Sequence, residues 1–245
     1  MKQFLIKPIG KTALLLVLFS LVTFVAAPVY AVGGISAAKL VVPTVDTVPA
    51  GAIEFEPTAE VDYGLETESI LFTNSFGNRI TWGVSDTFEM GINAAITTTD
   101  IAFDYGFKWN FLQFGESFGL GFMGGVGWGS GTGTNAYGAG LIFSAPLGKT
   151  LHVDFSAEAG YTRNSLSAGL NLGIGWYFVD NVQFCIEASY ARVIRYGEEE
   201  TYGYTGITWD VNESVILVLG QWFGRNNPQR TFTTGTFFAA TILID

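Results

Sequence analysis

His152, Asp154 and Ser156 stand two residues apart in "LHVDFSAEAGY" (Leu151–Tyr161), and they are the three side-chain types of a hydrolytic triad. On a strand this spacing puts all three on one face, with alternate residues about 7 Å apart. A nucleophile, its base and the base's orienter need direct hydrogen bonds of about 3 Å. The spacing therefore does not assemble a triad by itself; a partner from a neighbouring strand would be required. His152 is the only histidine, and no group of Cys, His and carboxylates has metal-ligand spacing. The acidic "YGEEET" (Tyr196–Thr201) offers oxygens that suit calcium, but it lacks an EF-hand-like pattern and reads as a solvated turn. No catalytic residue, metal or cofactor is assigned. The chain is read as a non-enzyme.

What the stretch does carry is alternation. Leu151, Val153, Phe155, Ala157, Ala159 and Tyr161 share one parity, and the residues between them are polar, acidic or glycine. A strand of this kind meets two different solvents. The same alternation returns along the chain, and it predicts twelve strands over about 50–63, 70–84, 87–97, 101–112, 116–128, 135–145, 149–163, 166–179, 181–195, 200–210, 213–224 and 231–244. Val215–Leu219 is apolar on both faces, and Phe232–Ile244 alternates only loosely.

The N-terminus sets the compartment. Lys2, Lys7 and Lys11 precede an apolar stretch from Ala13 to Ala27, and Val29-Tyr30-Ala31 offers a signal-peptidase site. Residues 1–31 are read as a cleaved leader, 32–49 as a periplasmic N-terminal segment carrying Pro43 and Pro49, and 50–245 as the folded body. Removing three lysines from the 12 basic residues leaves 9 against 22 acids, a balance of −13. Such a charge speaks against nucleic acid or anionic lipid as a partner. With one cysteine, Cys185, no internal disulfide forms.

An exported chain with an even number of strands, each about ten residues long, fits an outer-membrane barrel whose apolar face meets lipid and whose polar face meets a wet lumen. Tryptophan positions favour this over a soluble sandwich or an eight-stranded carrier. Trp82, Trp109, Trp176 and Trp209 lie just before the short turns at 84–87, 113–117, 179–181 and 210–214, while Trp128 and Trp222 lie near the opposite strand ends. Aromatic rings collect in this way at membrane interfaces. The fold class is an all-β, transmembrane, antiparallel up-and-down barrel of about 12 strands.

By parity the lumen receives Glu54, Glu56, Glu60, Asp62, Glu89, Asp104, Asp154, Glu158, Glu187 and Asp210, with His152, against the bases Arg79 and Lys108. Either this acid excess favours cations in an open pore, or the acids close on Arg79 and Lys108 in a filled interior. Phe237, Leu243 and the doubly apolar stretch 215–219 are the places where an apolar lumenal patch could lie.

The segments "TVPAGAIEFE" (Thr47–Glu56), "RITWGVSDTFEMGI" (Arg79–Ile92), "DIAFDYGFKW" (Asp100–Trp109) and "YFVDNVQFCI" (Tyr177–Ile186) resemble the exported transporter family labelled for the MetA pathway of phenol degradation. The acids of the third segment are spaced differently from that family's pattern. The resemblance implies an outer-membrane barrel that passes small aromatic or apolar compounds. The chain ends Ile242-Leu243-Ile244-Asp245, without the aromatic terminus common in such barrels, which weakens the expected recognition by the barrel-assembly machinery. The expected role is passive passage of a small solute across the outer membrane, in contact with lipid and lipopolysaccharide. The alternative is a non-conducting barrel that stabilises the envelope or binds a partner.

Overall fold

The structure is a computed structural model that describes residues 35–36, 40–66, 69–97, 101–114, 118–129, 134–162, 165–194, 197–227 and 231–244. The leader at 1–31 lies outside the described residues, as do the side chains of residues 62–75.

Twelve strands form one closed ring. They are β1 (Ile53–Glu66), β2 (Ser69–Ser85), β3 (Phe88–Thr97), β4 (Ile101–Phe114), β5 (Phe118–Gly129) and β6 (Thr134–Pro146), followed by β7 (Leu151–Thr162), β8 (Ser165–Val179), β9 (Val182–Val193), β10 (Glu198–Asn212), β11 (Val215–Asn227) and β12 (Thr231–Ile244). Each strand pairs antiparallel with its sequence neighbours, and β1 closes on β12 from Ile53↔Ile244 to Gly64↔Thr233. The count agrees with the alternation, and the bounds differ by up to three residues: β4 and β10 run on, while β7 and β9 stop short. Backbone pairing does not need the side-chain pattern to continue. Glu198–Glu200, expected in a loop, begins β10: Glu199 meets Arg192 at 3.6 Å, and the Tyr202 hydroxyl donates to Glu200 at 3.1 Å.

Closure requires strong local coiling, and four β-bulges supply it. They fall at Gly83/Ser85, Asn110/Leu112, Tyr177/Val179 and Asp210/Asn212, each in the last residues of an even-numbered strand, before a short connection. All four therefore lie at one rim, the tight-turn end.

Burial is inverted relative to a water-soluble protein. The fully buried side chains include Lys108, Glu89, Glu187, Thr81 and Ser156, whereas Phe76, Ile92, Leu166, Leu219 and Phe238 are among the exposed ones. Along β7, Asp154, Ser156 and Glu158 are buried while Ala159 and Tyr161 are exposed. Such an exterior is stable only in an apolar surrounding. Trp82, Trp109, Trp128, Trp176 and Trp209 all point outward, each about half exposed. Trp222 does not: on β11 the outward parity belongs to Leu219 and Phe223, so Trp222 faces the lumen. An arginine at outward Leu172, midway along β8, is expected to lower barrel stability in lipid vesicles by about 2–4 kcal/mol, read by equilibrium unfolding.

Candidate functional site: a segment seated in the lumen

The lead-in before β1 is expected outside the wall, yet its described residues lie within the barrel. Two buried carboxylates hold it. Glu187 on β9 accepts the backbone N–H groups of Leu40 (2.9 Å), Val41 (2.8 Å) and Val42 (2.8 Å). Glu89 on β3 accepts from the backbone N–H and hydroxyl of Ser36 and from the Val48 N–H, at 2.7–2.8 Å. A chain segment without strand partners has backbone donors to satisfy, and charged acceptors satisfy them with roughly twice the strength of neutral ones. Further ties run from the Val45 N–H to Ser144 Oγ (3.0 Å), the Thr47 hydroxyl to the Asp86 carbonyl (3.0 Å) and the Gly51 N–H to the Gly83 carbonyl (2.7 Å).

Apolar contacts complete the seat. Ile35 and Val45 pack with the inward-facing Met123 (β5) and Ile142 (β6). The glycines of the inner wall make the room. A Cβ on Gly119 would stand 2.6 Å from Val45 Cγ2, and one on Gly83 would strike the carbonyl oxygens of Val48 and Pro49. Between segment and wall, at the tight-turn mouth, a cavity of ≈ 250 Å³ remains, bordered by Asp46, His152, Asp154, Tyr177 and Gln183.

Both lumenal bases among the described residues are committed. Lys108 on β4, fully buried, donates to Ser36 Oγ (2.8 Å) and the Ser36 carbonyl (3.1 Å) and lies 3.3 Å from Glu89. Arg79 on β2 bridges Glu54 (2.8 Å) and Glu56 (2.9 Å), and Glu56 also accepts the Thr241 hydroxyl of β12 at 2.7 Å. The remaining predicted acids are spread around the ring. Asp104 accepts from Asn93 (3.3 Å), Glu158 accepts from Ser156 (3.0 Å) and Asn171 (2.6 Å), and Glu60 sits opposite Phe237 in the β1–β12 register. Asp210 lies beside the tight-turn rim, where its backbone N–H bonds the Asn181 carbonyl. Asp62 belongs to the stretch whose side chains are outside the described set. The triad geometry is not assembled: Ser156 Oγ is engaged by Glu158 and Asn171, while the His152 ring stands edge-on to Tyr177.

No family model and no curated protein matches the chain. Solved structures do. The KdgM porin superposes with a TM-score of 0.61 at 12% identity over 77% of this chain and 98% of that one. The NanC porin gives 0.60 at 7% identity over 76% and 98%. An outer membrane channel from Pseudomonas putida gives 0.57 at 10% identity over 81% and 98%. The chain has the fold of outer-membrane β-barrels.

In this outer-membrane barrel fold, one stretch of inner wall is aromatic. Tyr202 and Tyr204 of β10, Trp222 of β11 and Phe237 of β12 all face the lumen and are half-buried. Tyr202 and Trp222 meet edge-on with centroids 5.9 Å apart, and Tyr202 and Tyr204 lie 6.3 Å apart. Of these four, the sequence places only Phe237 inside. The signal for Trp222 was its even number, shared with Val218 and Gly220, but the doubly apolar start of β11 masks which parity is inward.

Proposed function

We propose that this chain is an outer-membrane channel for passive passage of a small solute, with a cation-favouring lumen and its own N-terminal segment seated across the tight-turn mouth. The observation that carries the reading is the inner face itself. The closed ring turns acids from β1, β3, β4, β7 and β9 into a lumen whose two described bases, Arg79 and Lys108, are already bound to Glu54, Glu56 and Glu89. Acidic linings attract cations and repel anions. The KdgM porin, by contrast, is known in complex with oligogalacturonate, a polyanion. The family resemblance adds small aromatic or apolar compounds to the solutes such a barrel would pass, after export by the leader at 1–31.

A second reading is favoured by the segment. With Ser36 and Val48 bonded to Glu89 and Leu40–Val42 to Glu187, the barrel is a filled, non-conducting body that stabilises the envelope or presents a surface to a partner.

Planar-bilayer recording under a potassium chloride gradient separates the two. The channel reading expects a cation-selective reversal potential that weakens when Asp154 and Glu158 become Asn and Gln. Both are inward and at most 4% exposed. Silence from the folded protein and from a variant with residues 35–48 exchanged for a glycine–serine linker would leave the structural barrel.

A further inference from the structure

We infer that the inner wall built by β10, β11, β12 and β1 is a binding site for organic ammonium ions. The inference deepens the channel reading and rests on it for biological use, but binding itself needs no conduction.

The register places the parts. Tyr204 lies opposite Trp222, Tyr202 opposite Gly224, Gly220 opposite Phe237, and Phe237 opposite Glu60. Two of the rings reach over a glycine of the neighbouring strand. A Cβ on Gly220 would meet Phe237 Cε1 at 2.6 Å, and one on Gly224 would meet Tyr202 Cδ1 at 2.7 Å. The electron-rich faces of Trp, Tyr and Phe attract a cation within about 6 Å of the centroid, and the attraction grows as water is excluded.

Carboxylates flank the patch. Glu200 takes the Tyr202 hydroxyl at 3.1 Å, and Tyr204 is within electrostatic reach of Glu60, Glu187 and Glu200. Of the described bases, Arg225 of β11 has the outward parity, Arg79 is bound to Glu54 and Glu56 at β1–β2, and Lys108 is bound at β3–β4. Aromatic faces alone would also suit a neutral sugar. Aromatic faces among acids, in a lumen whose described bases are committed elsewhere, select a positive charge carried on an apolar body. The segment borders the patch on its tight-turn side, where Tyr204 lies opposite the Glu187 that holds Leu40–Val42 and Leu40 reaches the wall at Gly206, so the rings are approached from the loop side.

The test uses the full folded barrel in detergent and three probes: choline, its uncharged carbon isostere 3,3-dimethylbutan-1-ol, and maltotriose, each titrated by calorimetry. Choline should bind at least about ten-fold tighter than the isostere, since one cation–ring contact is worth roughly two- to thirty-fold in affinity. Trp222→Leu should remove most of that preference, Trp222→Phe should keep part of it, and Glu60→Gln should reduce it several-fold. Heat-modifiable migration checks that each variant is folded. Equal binding of choline and its isostere, an unchanged preference in folded Trp222→Leu, or no binding of any probe would overturn the inference. Tighter binding of maltotriose would replace it with a sugar-binding wall. Silence in the bilayer with selective choline binding would defeat the channel and leave the site standing.

Discussion

Exchanging Glu187 for glutamine will lower the seated-to-released ratio of the N-terminal segment by one to two orders of magnitude. Its carboxylate takes three consecutive backbone N–H groups, from Leu40, Val41 and Val42. A glutamine keeps one oxygen but turns an NH2 toward donors it cannot satisfy. Hydrogen bonds to charged groups contribute about 1.5–3 kcal/mol each, and every 1.4 kcal/mol is a factor of ten. With the retained oxygen on the Val41 and Val42 donors, one such bond is lost, from Leu40, which gives the stated range. The measurement is open probability in planar bilayers, paired with limited proteolysis of residues 40–49. If both stay at the wild-type level while the glycine–serine replacement conducts, Glu187 is not what holds the segment. Glu187→Gln is preferred to a change at Glu89 because it leaves the buried Lys108 ion pair intact.

Lys108→Met will destabilise the barrel by about 3–5 kcal/mol. Glu89 and Lys108 are both fully buried, 3.3 Å apart, and removal of one partner leaves an uncompensated charge in the other. The methionine keeps much of the aliphatic length, so lost packing contributes little. Ser36 and Val48 still donate to Glu89, which places the expected loss nearer the lower figure. The double variant Glu89→Gln, Lys108→Met carries no buried charge at this position and should recover a measurable part of the loss. Urea unfolding in lipid vesicles reads both. A single variant within about 0.5 kcal/mol of wild type would mean that water or a salt ion reaches Glu89.

The fold was legible because a barrel wall obeys one rule from end to end. Each strand has two faces in two solvents, so the alternation through Phe103, Tyr105, Phe107 and Trp109 reports both the strand and its outward side. Five tryptophans marking strand ends then give the apolar slab its height. The rule fails where neither face is polar. On β11 the run Val215–Leu219 supplies no reference, which is why Trp222 reads as an interfacial residue from sequence and lies inside in the structure. It fails altogether for the lumenal segment. Residues 35–49 have no period of their own, and their anchors are distant: Glu89 is 41 residues from Val48, and Glu187 is 147 residues from Leu40. Parity shows that Glu89 and Glu187 face inward, but not that one binds a serine and the other a row of backbone N–H groups. The glycine-rich inner face of β5 was the available signal, since a wall stripped of side chains makes room for something else.

The bond from Thr241 to Glu56 joins residues 185 positions apart, on the two strands that close the ring. Glu56 also holds Arg79, which reaches Glu54, so one polar knot fastens β12, β1 and β2 together. Contacts this distant in sequence slow folding far more than they reduce stability, because the entropy of closing a loop grows only with the logarithm of its length. The seam is therefore where this barrel's folding clock is set: weakening the knot should lengthen the lifetime of an unclosed sheet before it alters the finished protein.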